Sequence, residues 1–167
     1  MVQKLFAAPF KITPELAMPW IHDVSTAADD PPPFIALREV RLACTNGVAY
    51  SGPQGEEQRL TYPDLLPLLL TQSLPVIFHA ALAVCTALRW VIAAAEVNPA
   101  QGRIEATAIT RWMRFKDDVV IRMRLHPGGS HLDMRSASRV GSSDFGANAK
   151  RIRMFLHELN IQLKISA

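Results

Sequence analysis

Two cysteines in 167 residues are too few to staple a small fold. Cys44 and Cys85 could form one bridge at most, and neither stands near a histidine cluster that would complete a zinc site. No apolar run approaches the ~18 residues that span a bilayer, and the opening "MVQKLFAAPFK" is too short and proline-broken for a signal-peptide core. The chain as given therefore reads as soluble, with its compartment open. Also missing are the "GxxxxGK[ST]" spacing of a phosphate loop and the "GxSxG" elbow of a serine hydrolase. Aromatic residues make up 7% of the chain, and none of them form the ladder that would stack bases on an open sheet.

What is present suffices for one globular domain. The composition is 49% hydrophobic and 20% charged, outside the disordered range. A chain of this length buries roughly 70% of the surface it exposes when unfolded. The net charge of +3 is unevenly spread: between Arg103 and Arg153 there are 11 Lys/Arg against five Asp/Glu, whereas the rest has seven against ten. The basic half points to an anionic partner or to arginines paired across a sheet.

Residues 1–60 read as a long irregular arm, punctuated by "DDPPPF", "TNG" and "SGPQGEE", that packs on a single domain over 61–167. "YPDLLPLLL" suggests one strand, confined by Pro67 to a sheet edge. From Pro75 to Arg89, Ile77, Ala81, Leu82, Cys85 and Leu88 recur at helical spacing behind a first-turn proline. Four strands follow: "WVIAAA", "RIEATAIT", "DVVIRMRL" and "LDMRSAS". Their alternation sets Ile104, Ala106, Val119, Ile121, Met123, Leu132 and Met134 against Glu105, Thr107, Arg122, Arg124, Asp133 and Arg135. A last helix begins near Asp144 or Gly146 with Ile152, Phe155, Leu156, Leu159 and Leu163 as its apolar stripe. The expected fold is α+β: a curved antiparallel sheet of about five strands with two helices on one face, helix-grip-like, plus the irregular arm.

The stretch "SRVGSSDFGANAKRIRMFL" could be a phosphate-gripping loop, a serine turn or a helix start. Asp144 argues against phosphate, because its carboxylate takes the positive end of the helix dipole. Capping by Ser143 or Asp144 is the reading adopted, with Gly141 and Gly146 serving the backbone at a strand-to-helix junction. His22, Asp23, Asp29 and Asp30 lack the regular oxygen spacing and glycine hinge of a cation loop, so no metal or cofactor is expected. Arg122, Arg124, Arg135 and Arg139 on the charged face, with Arg111, Trp112 and Phe115 at a strand corner, are the candidate binding residues.

Four segments, "IHDVSTAADDPPPF", "YPDLLPL", "GRIEATAITRWMRFKDDVVIRMR" and "DMRSASRVGSSDFGANAKRIRMFL", resemble domain-of-unknown-function family 1499, over a match from about Ile21 to Leu159. The resemblance brings no established activity. It implies a periplasmic or cell-envelope setting, since many relatives carry membrane-spanning helices ahead of a segment similar to the first of these. The element order is also similar to the helix-grip domains of bacterial outer-membrane assembly lipoproteins, in fold alone. The expected function is a non-enzymatic module that binds a protein or an anionic lipid or glycan of the envelope through the basic face; nucleic acid is not expected. The alternative is a small-ligand or lipid carrier with a groove between the last helix and the sheet.

Overall fold

The computed structural model describes residues 20–50, 52–110 and 114–165. Among these the chain runs β1 (Asp23–Ser25), α1 (Arg38–Leu42), α2 (Gly52–Thr61), β2 (Leu68–Leu70), α3 (Leu74–Ala87), β3 (Val91–Val97), β4 (Gln101–Ile109), β5 (Lys116–His126), β6 (Gly129–Ser138) and α4 (Ala147–Ile165). The fold is α+β, with one six-stranded antiparallel sheet in the order β1-β6-β5-β4-β3 and β2 also paired to β6. β1 and β2 share the outer edge of β6, β1 against residues 135–137 and β2 against 130–132. The two-residue loop Pro127-Gly128 turns β5 into β6, with Gly128 at φ 87°.

The four-strand meander and both long helices lie where periodicity put them. Ile104, Ala106, Val119, Ile121, Met123, Leu132 and Met134 share one buried face with Ile77, Ala81 and Val84 of α3 and with Ile152, Phe155 and Leu159 of α4. Phe155 stacks on Trp90 at 5.8 Å between ring centroids, closing the core near the end of α3. That helix stops in a Schellman turn: the Arg89 amide donates to Thr86 O and the Trp90 amide to Cys85 O. The left-handed position of this turn, usually glycine, holds Arg89 at φ 58°.

Two expectations need correction. The sheet has six strands, because β1 is too short at three residues for alternation to register. The stretch read as irregular contains that strand and two helices, α1 and α2. α2 carries almost no apolar stripe, and its buried anchor is a polar residue, Gln58. Its side-chain amide accepts from Ser25 N at 2.7 Å and donates to Ser25 O at 2.7 Å, so it completes the edge of β1 as a further strand would.

Candidate functional site

The second face of the sheet carries the charges, and it is not open. Residues 30–48 lie across it, with Phe34 and Leu37 packed on Val120 and Ala137. The amides of Ile35 and Leu37 donate to the two carboxylate oxygens of buried Glu105 at 2.8 and 3.0 Å. Arg41, 1% exposed, donates to Asp118 Oδ2 at 3.0 Å and to the carbonyl of Ala137 at 3.0 Å.

Every sheet arginine singled out from the sequence has an internal partner. Arg135 is 2% exposed, forks onto Asp23 at 2.9 and 2.6 Å, donates to Val48 O at 3.0 Å, and sits 4.7 Å from the Phe34 ring centroid. Arg122 and Arg124 both reach Asp133 and Asp30. Arg139 forks onto Asp118 at 2.9 Å to each oxygen, and these bonds raise its pKa. The Arg122 hydrogen bond holds the Asp30 carboxyl below the usual aspartate range. The expectation that this face projects toward a partner is therefore corrected. A strap that buries only two of its large apolar residues here, Phe34 and Leu37, placed without periodicity, covers much of the face as a second interior.

The strand-to-helix junction is different. Asp144 accepts from the amides of Gly146 at 2.8 Å and Asn148 at 2.7 Å, so its carboxylate occupies the start of α4. Its own amide donates to Ile21 O, tying the junction to the chain ahead of β1. Phe145 and Gly146 both adopt the left-handed region, at φ 53° and 79°. Gly141, at φ 92°, gives the loop after β6 its bend. Beneath lies a buried polar chain. Arg151 donates to Asp117 Oδ2 at 2.6 Å and to Asn148 Oδ1 at 2.6 Å, and Ser136 Oγ donates to the same amide oxygen at 2.6 Å.

Above this chain opens a pocket of about 580 Å³. Trp20, Phe115, Val140 and Phe145 line it with apolar surface, and Lys116, Asp117, Ser138 and Asp144 are among its polar groups. Trp20 is 70% and Phe145 75% exposed, well beyond what a core plug shows. Of the expected corner, Phe115 lines the pocket, whereas Arg111 and Trp112 lie outside the described residues. Trp20, Val140 and Phe145 were missed in the sequence. The available signal was an aromatic directly before a glycine, "DFG", at a helix start.

Neither Ser136 nor Cys85 is placed as a nucleophile. Ser136 is fully buried and bonded to an amide and an arginine, with no histidine among its partners. Burial pushes the Cys85 thiol up to about 12, far from a reactive thiolate. Among the described residues no three His, Cys, Asp or Glu groups converge in a metal-binding arrangement, and no helix is long and apolar enough to cross a membrane.

The sequence matches the family model for proteins of unknown function DUF1499 over residues 23–159. The chain belongs to this family. No curated protein matches it. Within this DUF1499 chain the matched region begins at β1 and ends in α4, so it takes in the whole sheet, the strap across its charged face and the junction.

Proposed function

We propose that this DUF1499 chain is a non-enzymatic, envelope-associated binding module that seats an apolar segment of a protein partner in the pocket at the start of α4. The observation that carries this reading is Phe145, a bulky residue in the left-handed region whose ring points largely into solvent at the pocket wall. Such a conformation costs a non-glycine residue roughly 1–2 kcal/mol, and an aromatic kept there against that cost suits the centre of an interface. The envelope setting rests on the family resemblance. The fold is read as helix-grip-like, with residues 30–48 of the N-terminal arm strapped over the sheet. In this reading the paired arginines hold the arm, and Phe115 with its neighbours makes the contact.

Phe145→Gly is expected to raise stability by up to about 1 kcal/mol in urea unfolding while abolishing partner capture. Capture is read by a photo-reactive phenylalanine analogue placed at position 115 in the native host, followed by identification of the adduct. Partner capture undiminished by Phe145→Gly would overturn the proposal. A second groove, of about 400 Å³ between α4 and β2 and lined by Leu68, Leu70, Leu156, Leu159 and Leu163, supports the carrier alternative. A small-molecule adduct in native mass spectrometry, removed by Leu156→Trp, is the result that reading requires.

A further inference from the structure

We propose that the groove between the end of α3, the end of β4 and α4 binds an alkyl carboxylate, the chemistry of a fatty acid. The groove, of about 710 Å³, is bounded by Leu88, Arg89 and Trp90 on one side and by Ile109, Arg151 and Met154 on the other. That volume suits a small-molecule site. No residue lines both this groove and either of the cavities described above, so a ligand here would be independent of them. Leu88, Trp90, Ile109 and Met154 give the walls apolar surface, and Ile109 and Met154 are 39% and 42% exposed. An alkyl chain laid along them takes that surface out of water.

Charge selects the head group. The charged residues of the wall are Arg89 and Arg151, and among the described residues that line it there is no carboxylate. Arg151 is buried and neutralised, since its Nη2 donates to Asp117 Oδ2 at 2.6 Å while its Nη1 serves Ser136 and Asn148. Arg89 is exposed and, among the described residues, takes part in none of the ion pairs. The wall therefore carries one uncompensated positive charge, which matches a singly charged head and would leave a phosphate dianion half neutralised. The guanidinium fork also fits the two oxygens of a carboxylate. The end of α3 does not oppose an anion strongly, because the amides of Arg89 and Trp90 already cover the carbonyls of Thr86 and Cys85. Arg89 holds the left-handed position of that turn, at φ 58°, so its side chain is kept there against a conformational cost.

Isothermal titration calorimetry of the full chain with dodecanoate, dodecanol and dodecyl phosphate, each below its micelle concentration, tests this. Dodecanoate should bind one to one, dodecanol about tenfold more weakly for want of the charge-assisted hydrogen bonds, and dodecyl phosphate no more tightly than dodecanoate. Arg89→Gly should weaken dodecanoate binding about tenfold while raising the midpoint of urea unfolding, since glycine relieves the left-handed position. A loss of binding in a more stable protein is not a folding defect. Met154→Trp, at an exposed position, should fill the groove and block binding in the same way. Absence of dodecanoate binding overturns the proposal, as does dodecanol bound equally well or dodecyl phosphate bound more tightly. Binding that survives both Arg89→Gly and Met154→Trp, or that disappears in Phe145→Gly or Leu156→Trp, belongs to another cavity and overturns it too.

Discussion

Truncating Arg135 to alanine removes both guanidinium bonds to Asp23 and leaves a carboxylate that is 2% exposed without that cation. Breaking a buried pair from one side costs about 3–5 kcal/mol. Urea unfolding of Arg135→Ala should show a loss of this size, and Asp23→Leu with Arg135→Met should recover part of it, because no charge is then stranded. Recovery stays partial because Arg135 also bonds the Val48 carbonyl and stacks near the rings of Phe34 and Tyr50. Burial pushes the Tyr50 hydroxyl up to about 12, so it stays protonated and donates to Gln58 Oε1 at 3.0 Å. The sequence shows Arg135 as one charge in an alternating strand. It cannot show the partner, since Asp23 lies 112 residues away.

At the scale of elements, β2 is three residues long and held by its crossing of the β5–β6 turn. A Cβ at Gly129 would run into the carbonyl of Leu70, so the backbones approach there only without a side chain. Gly129→Ala is expected to cost about 1–3 kcal/mol and to raise hydrogen exchange at residues 68–70 ahead of the meander. The strands β4 to β6 and the helices α3 and α4 were legible because each repeats its period several times, and β3 as a short apolar run closed by the turn "NPAQG". β1, α1 and α2 were not, because elements of three and five residues complete no full pattern and α2 is anchored by Gln58 in place of an apolar stripe. The alternation of charge along β4, β5 and β6 was read in the right phase. What covered it was invisible, because Phe34 and Leu37 lie in a proline-rich segment without periodicity.

For the whole molecule, acid is the condition that separates the strap from the sheet. Asp30 and Asp64 have lowered pKa values, chiefly through hydrogen bonds from Arg122 and Arg153. A carboxylate with a depressed folded pKa contributes its stability above the unfolded value, near 3.8, and loses it as pH falls through the folded one. Asp30 is 63% exposed, so water screens the pair and the global effect is small. Hydrogen exchange should therefore show residues 27–48 loosening between pH about 4 and about 2, before the helix-side core responds. Arg122→Gln should loosen the same residues already at neutral pH.

The pairing of β1 with β6 also sets an order of events during synthesis. Asp23 and Arg41 emerge from the ribosome long before Arg135 and Ser138, to whose strand they bind. Closing so long a loop is slow, and the nearer contacts, Gln58 to Ser25 and Arg41 to the Gly47 carbonyl, tie the segment only to itself and to α2, not to the sheet. The early segment thus waits, unlatched, until nearly the last strand has been made. A ribosome-bound chain truncated before β6 should be cut by protease between residues 27 and 48, and one extended beyond α4 should resist.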